Sequence, residues 1–482
     1  MIKKIQQDFS YYSHEFKDNY RKGVHRLRTI LANRAQAQAF VSNAGGVAVV
    51  LGYEPSAPDK NAQELYALLA ASPYIDDAVQ TFLGSIYEAG AESQDAMYSD
   101  SARCLEILHD PVMARAAGAG AVSAGKWIAT LAGQSCNLYR DMNAVAASDI
   151  AMTAVAASET AMEAVISSTI ALNAVAASKT AMTAVAANET AMVAVAASRV
   201  AMSAIIGNST ALNAVVTSSV AMTAVINNAA ALNAVVSSST AMAAIASSQT
   251  AMAAIASSQT AMAAVTESYV AVAAVYGSAV AVEAVKANET AWSTLTGASS
   301  AVMGKAAAKL AGLNPADYAD MAAVASSSTA MAAIASSQTA MAAIASSQTA
   351  MAAVATSDSA IRAMVASTAA KTALIANNNN LQSVANTWWK TVQSGFTLVR
   401  SQKDDDGVTS ANSVNAKYIM FAIPGGYNNG SGITNCFHGH NGAAAGSASG
   451  SYTDTAKRKV LLGGGTFTET NDGMVRTWVY SI

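Results

Sequence analysis

Apolar positions in the middle of the chain recur every ten residues: AMTAVAASET, AMEAVISSTI and ALNAVAASKT open a series that runs to residue 295. Ala fills the first slot from Ala151 to Ala291, and Met, Leu or Val follows it everywhere except at Trp292. Slot four is Ala from Ala144 to Ala284, slot five is Val or Ile from Val145 to Val285, and slot eight is Ser or Asn. Slots three and nine drift through Thr, Glu, Asn, Lys, Arg and Gln, as solvent-facing positions do. Each decad therefore has a buried side and a wet side, and a fixed period predicts an array of stacked units.

Ten residues of α-helix fall about 80° short of three full turns, so one straight helix does not keep Met152, Met162 and Leu172 on a single face. A supercoil would have to tighten to about 3.33 residues per turn, well past the underwinding of a heptad coiled coil. Ser and Asn at slot eight suggest another solution, because both cap helix N-termini and hold turns. The predicted unit is a short helix around T-A-M-x-A-V, restarted at each Ser or Asn. The alternative is a β-solenoid, since slots five and ten are often β-branched; Ala and Met favour helix. Helices this short are marginal alone and must stack on neighbours or on other chains.

The pattern divides the chain. Residues 1–140 predict a helical attachment or adaptor region. Within it, Phe9, Tyr12, Phe16 and Tyr20 form one helical stripe in a basic segment, either a docking element or a helix packed on its own domain. Asp59 and Ser72 start further helices. The decad shaft occupies 141–295. Residues 296–319 lack the phrase and predict an interruption or hinge, after which decads resume one residue out of phase and lead, over 320–380, into an Asn-rich junction. From 381 to 482, runs such as Tyr418–Ile423 bounded by Gly and Pro predict a small all-β head.

Composition narrows the function. With 12% charged and 6% aromatic residues the 482-residue chain suits a fibre better than a large globular core, and a net charge of −3 argues against a nucleic-acid partner. Cys104, Cys136 and Cys436 are too sparse for a disulfide framework or zinc spacing, and read as free thiols. The sequence MIKKIQQDFSYY has no apolar run behind its charges, and polar residues interrupt the decads too often for a membrane span, so cytoplasmic synthesis is expected. No nucleophile elbow, phosphate loop, paired-carboxylate or zinc-hydrolase motif is present, so no catalytic residues are assigned and an enzyme is not expected. His109 and Asp110 are isolated and read as structural, and Asp404, Asp405 and Asp406 lack the spacing of a calcium loop.

An Ala-rich SSxTAMxAV array between a helical N-terminal region and a Gly/Thr-rich β-segment resembles the tail fibres, or receptor-binding proteins, of tailed bacteriophages. The resemblance rests on residues 141–295 and 320–360 and on the arrangement of the termini. It implies an elongated, multidomain, homotrimeric virion fibre, attached by its N-terminus to tail or baseplate proteins. Its C-terminal head would contact a bacterial surface polysaccharide or outer-membrane protein. Candidate receptor-binding residues are the exposed-type polar and aromatic groups Tyr427, Asn428, Asn429, Phe437, His438, His440 and Tyr452. His438 and His440 share one face of a strand, and the resemblance to fibres holding metal along a trimer axis makes an axial metal ion a second expectation for that pair. A purely structural virion appendage is the alternative function. An ice-binding array is disfavoured because ten residues do not return Thr to one helical face. A trimeric bacterial adhesin is disfavoured by the missing signal and anchor.

Overall fold

The computed structural model describes residues 2–16, 20–51, 60–87, 90–404, 412–414, 418–424, 459–462, 465–467 and 475–481. They fall into two compact units, residues 1–235 and 236–482.

The first unit opens with short helices, among them Ile2–Phe16, Tyr20–Ala32, Arg34–Val41, Ala44–Leu51, Lys60–Ala70 and Ile75–Tyr87. The aromatic stripe is used internally: Phe16 is fully buried, and its ring lies 5.4 Å from Tyr12 and 5.8 Å from Phe40. Gly23 allows the first two helices to cross closely, since a Cβ there would meet the Phe16 carbonyl at 2.3 Å. Phe9 and Tyr20, the other members of the stripe, have side chains outside the described set. Asp110 caps Pro111–Ala117 by accepting from the amides of Val112 and Met113.

The decads are helical, which removes the β-solenoid alternative. Apart from the six-residue helices that start each array, they are helices of eight or nine residues, as in Glu159–Ser167 and Lys179–Ala187. One residue separates a nine-residue helix from the next decad, and two separate an eight-residue one, as at Gly207 and Asn208. Ser158 has extended backbone (φ −104°, ψ 116°). Its amide donates to Val155 O, closing the preceding helix, while its Oγ accepts from Ala161 N and opens the following one. A single residue is thus both C-cap and N-cap, which is how a ten-residue period escapes the phase drift of a continuous helix. The chain bends by 101° between Asp149–Ala157 and Glu159–Ser167, and by 98° between Tyr269–Tyr276 and Ala279–Lys286.

Within each unit, a helix packs on its sequence neighbours and on the third helix along. The Ser hydroxyls stitch these layers: Ser178 and Ser218 donate to the carbonyls of Ala146 and Ala186 in the first unit, and Ser268 donates to Val236 O at 2.6 Å in the second. The chain is its own stacking partner. Ala151, Met152 and Val155 are fully buried, and the pattern repeats down the array. Slot six is buried as well, with Ala156 at 2% exposure, whereas slot four is mostly half-buried because the helix turns it toward the layer edge.

The first array starts from the helix Ala121–Leu131, a left-handed Gly133 (φ 72°), a 3-10 turn Cys136–Leu138 and Asp141, which caps the first decad through Ala144 N. Residues 296–319, the expected interruption, contain the same construction: helix Ser300–Leu310, Gly312 (φ 75°), 3-10 turn Pro315–Asp317 and the Asp320 cap on Ala323 N. In both, the chain before the first decad crosses directly over a helical glycine. A Cβ on Gly125 would lie 2.4 Å from Asp141 C, and one on Gly304 would lie 2.4 Å from Asp320 C.

After Thr368–Ala376 and Asn378–Ser383 comes one more helix, Ala385–Gly395, where sequence reading placed the start of the β-region. Trp388 and Val392, four apart, are buried beneath it, which is the helical spacing that the change in composition concealed. Strands β1 (Thr397–Asp404), β3 (Tyr418–Pro424), β4 (Lys459–Leu462) and β6 (Val475–Ser481) form an antiparallel sheet in the order β1-β6-β3-β4; β2 (Asn412–Val414) pairs with β5 (Gly465–Phe467).

Candidate functional site

The end of the decad array holds the C-terminal sheet through specific side chains. Gln382 Nε2 donates to Val460 O at 2.9 Å while its Oε1 accepts from Val460 N at 3.0 Å, so one amide reproduces a strand's pair of bonds on edge strand β4. Trp389 meets Tyr480 edge to face at 5.6 Å. Arg362 ties its own helix to the end of Ala385–Gly395: its Nε donates to Asp358 and its Nη2 to Gly395 O at 2.6 Å, with the guanidinium 4.0 Å from the Phe396 ring centre just before β1. Asn380, from the run expected to mark a junction, donates to the carbonyls of Ala345 and Ser346.

The segment that sequence analysis singled out connects two strands of this sheet in the sequence. Strand β3 ends at Pro424, β4 begins at Lys459, and the two pair antiparallel with Ala422 opposite Lys459. The chain therefore leaves and re-enters the sheet at one end of adjacent strands. Tyr427, Asn428, Asn429, Phe437, His438, His440 and Tyr452 all belong to that connection and lie outside the described residues, as does Cys436. Among the described residues no group of three or more His, Cys, Asp or Glu side chains is arranged to hold a metal.

At the other end of the chain, His14, Glu15, Lys22, His25, Arg26 and Thr29 line an open cleft between the first two helices. Tyr12 and Phe16 pack on Phe40, while Tyr11 is exposed.

The buried ionisable groups serve the fold. Asp76 accepts from Ser123 N at 2.9 Å and Val122 N at 3.4 Å, capping Ala121–Leu131 from a distant helix; burial raises its pKa above the ordinary 3.8, opposed by those amide bonds. Lys126 pairs with Asp95 and donates to the carbonyls of Cys136 and Tyr139. Cys104 and Cys136 are free and buried, and burial pushes the Cys104 thiol up to about 12, the opposite of what a nucleophile needs. Burial likewise raises Tyr98, whose hydroxyl bonds with Ser123. Sequence reasoning missed Asp76, Lys126 and Gln382, because each acts on backbone beyond its own helix and no local motif marks it. Neither a protein-family model nor a curated protein sequence matches the chain.

Proposed function

We propose that the protein is a tail-fibre-type attachment protein of a bacteriophage, fixed to tail or baseplate proteins by its N-terminal helical region and binding a host-surface receptor without catalysis through an all-β C-terminal head. The observation that supports this reading most is the self-stacked decad array, ending in the Gln382 and Trp389 contacts to a sheet. Its decads expose variable polar slots and bury constant apolar ones, as a spacer requires. Residues 425–458, which join β3 to β4 in the sequence, carry aromatic, Asn and His groups of the kind that make receptor contacts.

In this reading the protein is made in the host cytoplasm and carried on the virion. The trimer implied by the family resemblance is assigned to segments other than the decads, whose apolar slots are already buried within one chain. Adsorption of the full chain to a panel of bacterial cells tests the reading. Binding that is lost on deleting 425–458 with β3 and β4 joined by a short Gly-Ser turn, while far-UV helicity is unchanged, is the expected result. Binding unaffected by that deletion would overturn the head as the receptor site. Capture of a virion protein instead of cells would favour a structural appendage.

A further inference from the structure

The two array starts, residues 121–148 and 300–327, correspond position by position. Gly125 matches Gly304, Leu131 matches Leu310, Gly133 matches Gly312, Tyr139 matches Tyr318, Asp141 matches Asp320 and Met142 matches Met321, every pair the same distance apart in the chain. Their downstream packing is also the same. Ala121–Leu131 packs on Met142–Ala147 and Glu159–Ser167, and Ser300–Leu310 packs on Met321–Ser326 and Gln338–Ser346. Ser158 donates to Leu131 O at 3.1 Å, and Ser337 to Leu310 O at 3.3 Å.

Their upstream faces differ. Ala121–Leu131 is covered by the N-terminal helices, including Gln94–Tyr98 and Ser101–His109. Trp127 Nε1 donates to Cys104 O at 3.0 Å, Thr130 Oγ1 donates to Tyr98 O at 2.6 Å, and Ser123 bonds the Tyr98 hydroxyl. The matching positions in the second start are Ala306, Lys309 and Val302. Ser300–Leu310 is instead covered by a decad helix, Tyr269–Tyr276, and a Cβ on Gly277 would sit in ordinary contact with Leu310 at 3.6 Å. Trp127, Thr130 and Ser123, which bond the upstream helices, are all replaced in the second start, whereas the glycines, the capping Asp and the Met that launch the decads are shared.

We infer that residues 300–327 are a docking module with two faces: a constant one that starts a decad stack, and an upstream one that fits the open end of another decad stack. The first start carries the same module with its upstream face altered to take the helical N-terminal region. The array is then two cassettes joined end to end, and the partner of the second module's upstream face is a turn of decads. This rests on the fold alone and is independent of the attachment reading.

Two deletions of equal length in the full chain test it. Joining Leu131 to Ala311 keeps the first start's upstream face on the second cassette; joining Gly120 to Ser300 puts the second start's face against the N-terminal helices. Hydrogen exchange over residues 94–109 is expected to match the full chain in the first deletion, and to be at least about tenfold faster in the second. Adding Val302→Ser, Ala306→Trp and Lys309→Thr to the second deletion is expected to restore protection. Failure of the first deletion to stay protected would show that the modules are not equivalent. Protection in the second without the three substitutions, or no rescue with them, would show that the upstream faces carry no specificity. Any of these results overturns the inference.

Discussion

Slot eight concentrates more structural consequence than any other position of the decad. Its residue ends one helix with its amide, opens the next with its side-chain oxygen and, at Ser178, Ser218, Ser268 and Ser278, also donates its hydroxyl to the layer beneath. Asn188 and Asn208 supply the capping oxygen at the same slot. The two functions are separable by substitution. Ser178→Ala removes both and is expected to cost roughly 1–2 kcal/mol, the range for losing an N-cap. Ser178→Asn keeps a capping oxygen in place of the hydroxyl and should fall between the two. Urea midpoints of the three proteins, at constant slope, would order them; equal losses for Ala and Asn would show that capping contributes nothing here.

At the scale of elements, helices of eight or nine residues are too short to persist alone, so their stability comes from stacking. This puts weight on the helix that starts each stack. Ala121–Leu131 receives its N-terminal cap from Asp76, since its own cap position, Gly120, has no side chain and a Cβ there would lie 2.1 Å from Asp76 Oδ1. Because burial raises the folded pKa of Asp76 above its unfolded value, the folded state binds this proton more tightly. The group's contribution to stability is greatest below the ordinary value of 3.8 and is lost as pH rises through the raised folded value. Asp76→Asn, which retains an accepting oxygen, is expected to flatten the pH dependence of the urea midpoint across that interval. An unchanged slope would mean that other carboxyls account for it.

For the molecule as a whole, the decads' apolar slots are satisfied within one chain, with Met252 and Ile255 fully buried in the second unit as Met152 and Val155 are in the first. A structure whose core is completed by its own neighbours unfolds in a manner independent of concentration, whereas one completed by other copies gains stability by mass action. The thermal midpoint followed at the far-UV helical band is therefore expected to stay constant over about a hundredfold dilution of the full chain. A midpoint that falls on dilution would show that the decads need other copies.

The period, the slots that face inward, the Ser and Asn restarts and the failure of a continuous helix were all legible in the residues, because each follows from a local rule: about 100° per residue, the capping chemistry of short polar side chains, and burial of Ala, Met and Val. The partner of each decad was not legible. Near-identical decads offer many equivalent neighbours, and only the bend of about 100° at each cap returns the chain onto its own third helix along. The stretch 296–319 looked like a break because it lacks the decad phrase; its likeness to the first start is carried by Gly125 and Gly304, whose role depends on backbone arriving from beyond a turn. Trp388 and Val392 belong to a helix, not a strand, because the end of the array offers them a surface to cover. Local chemistry set the elements, and long-range contacts decided what each of them meets.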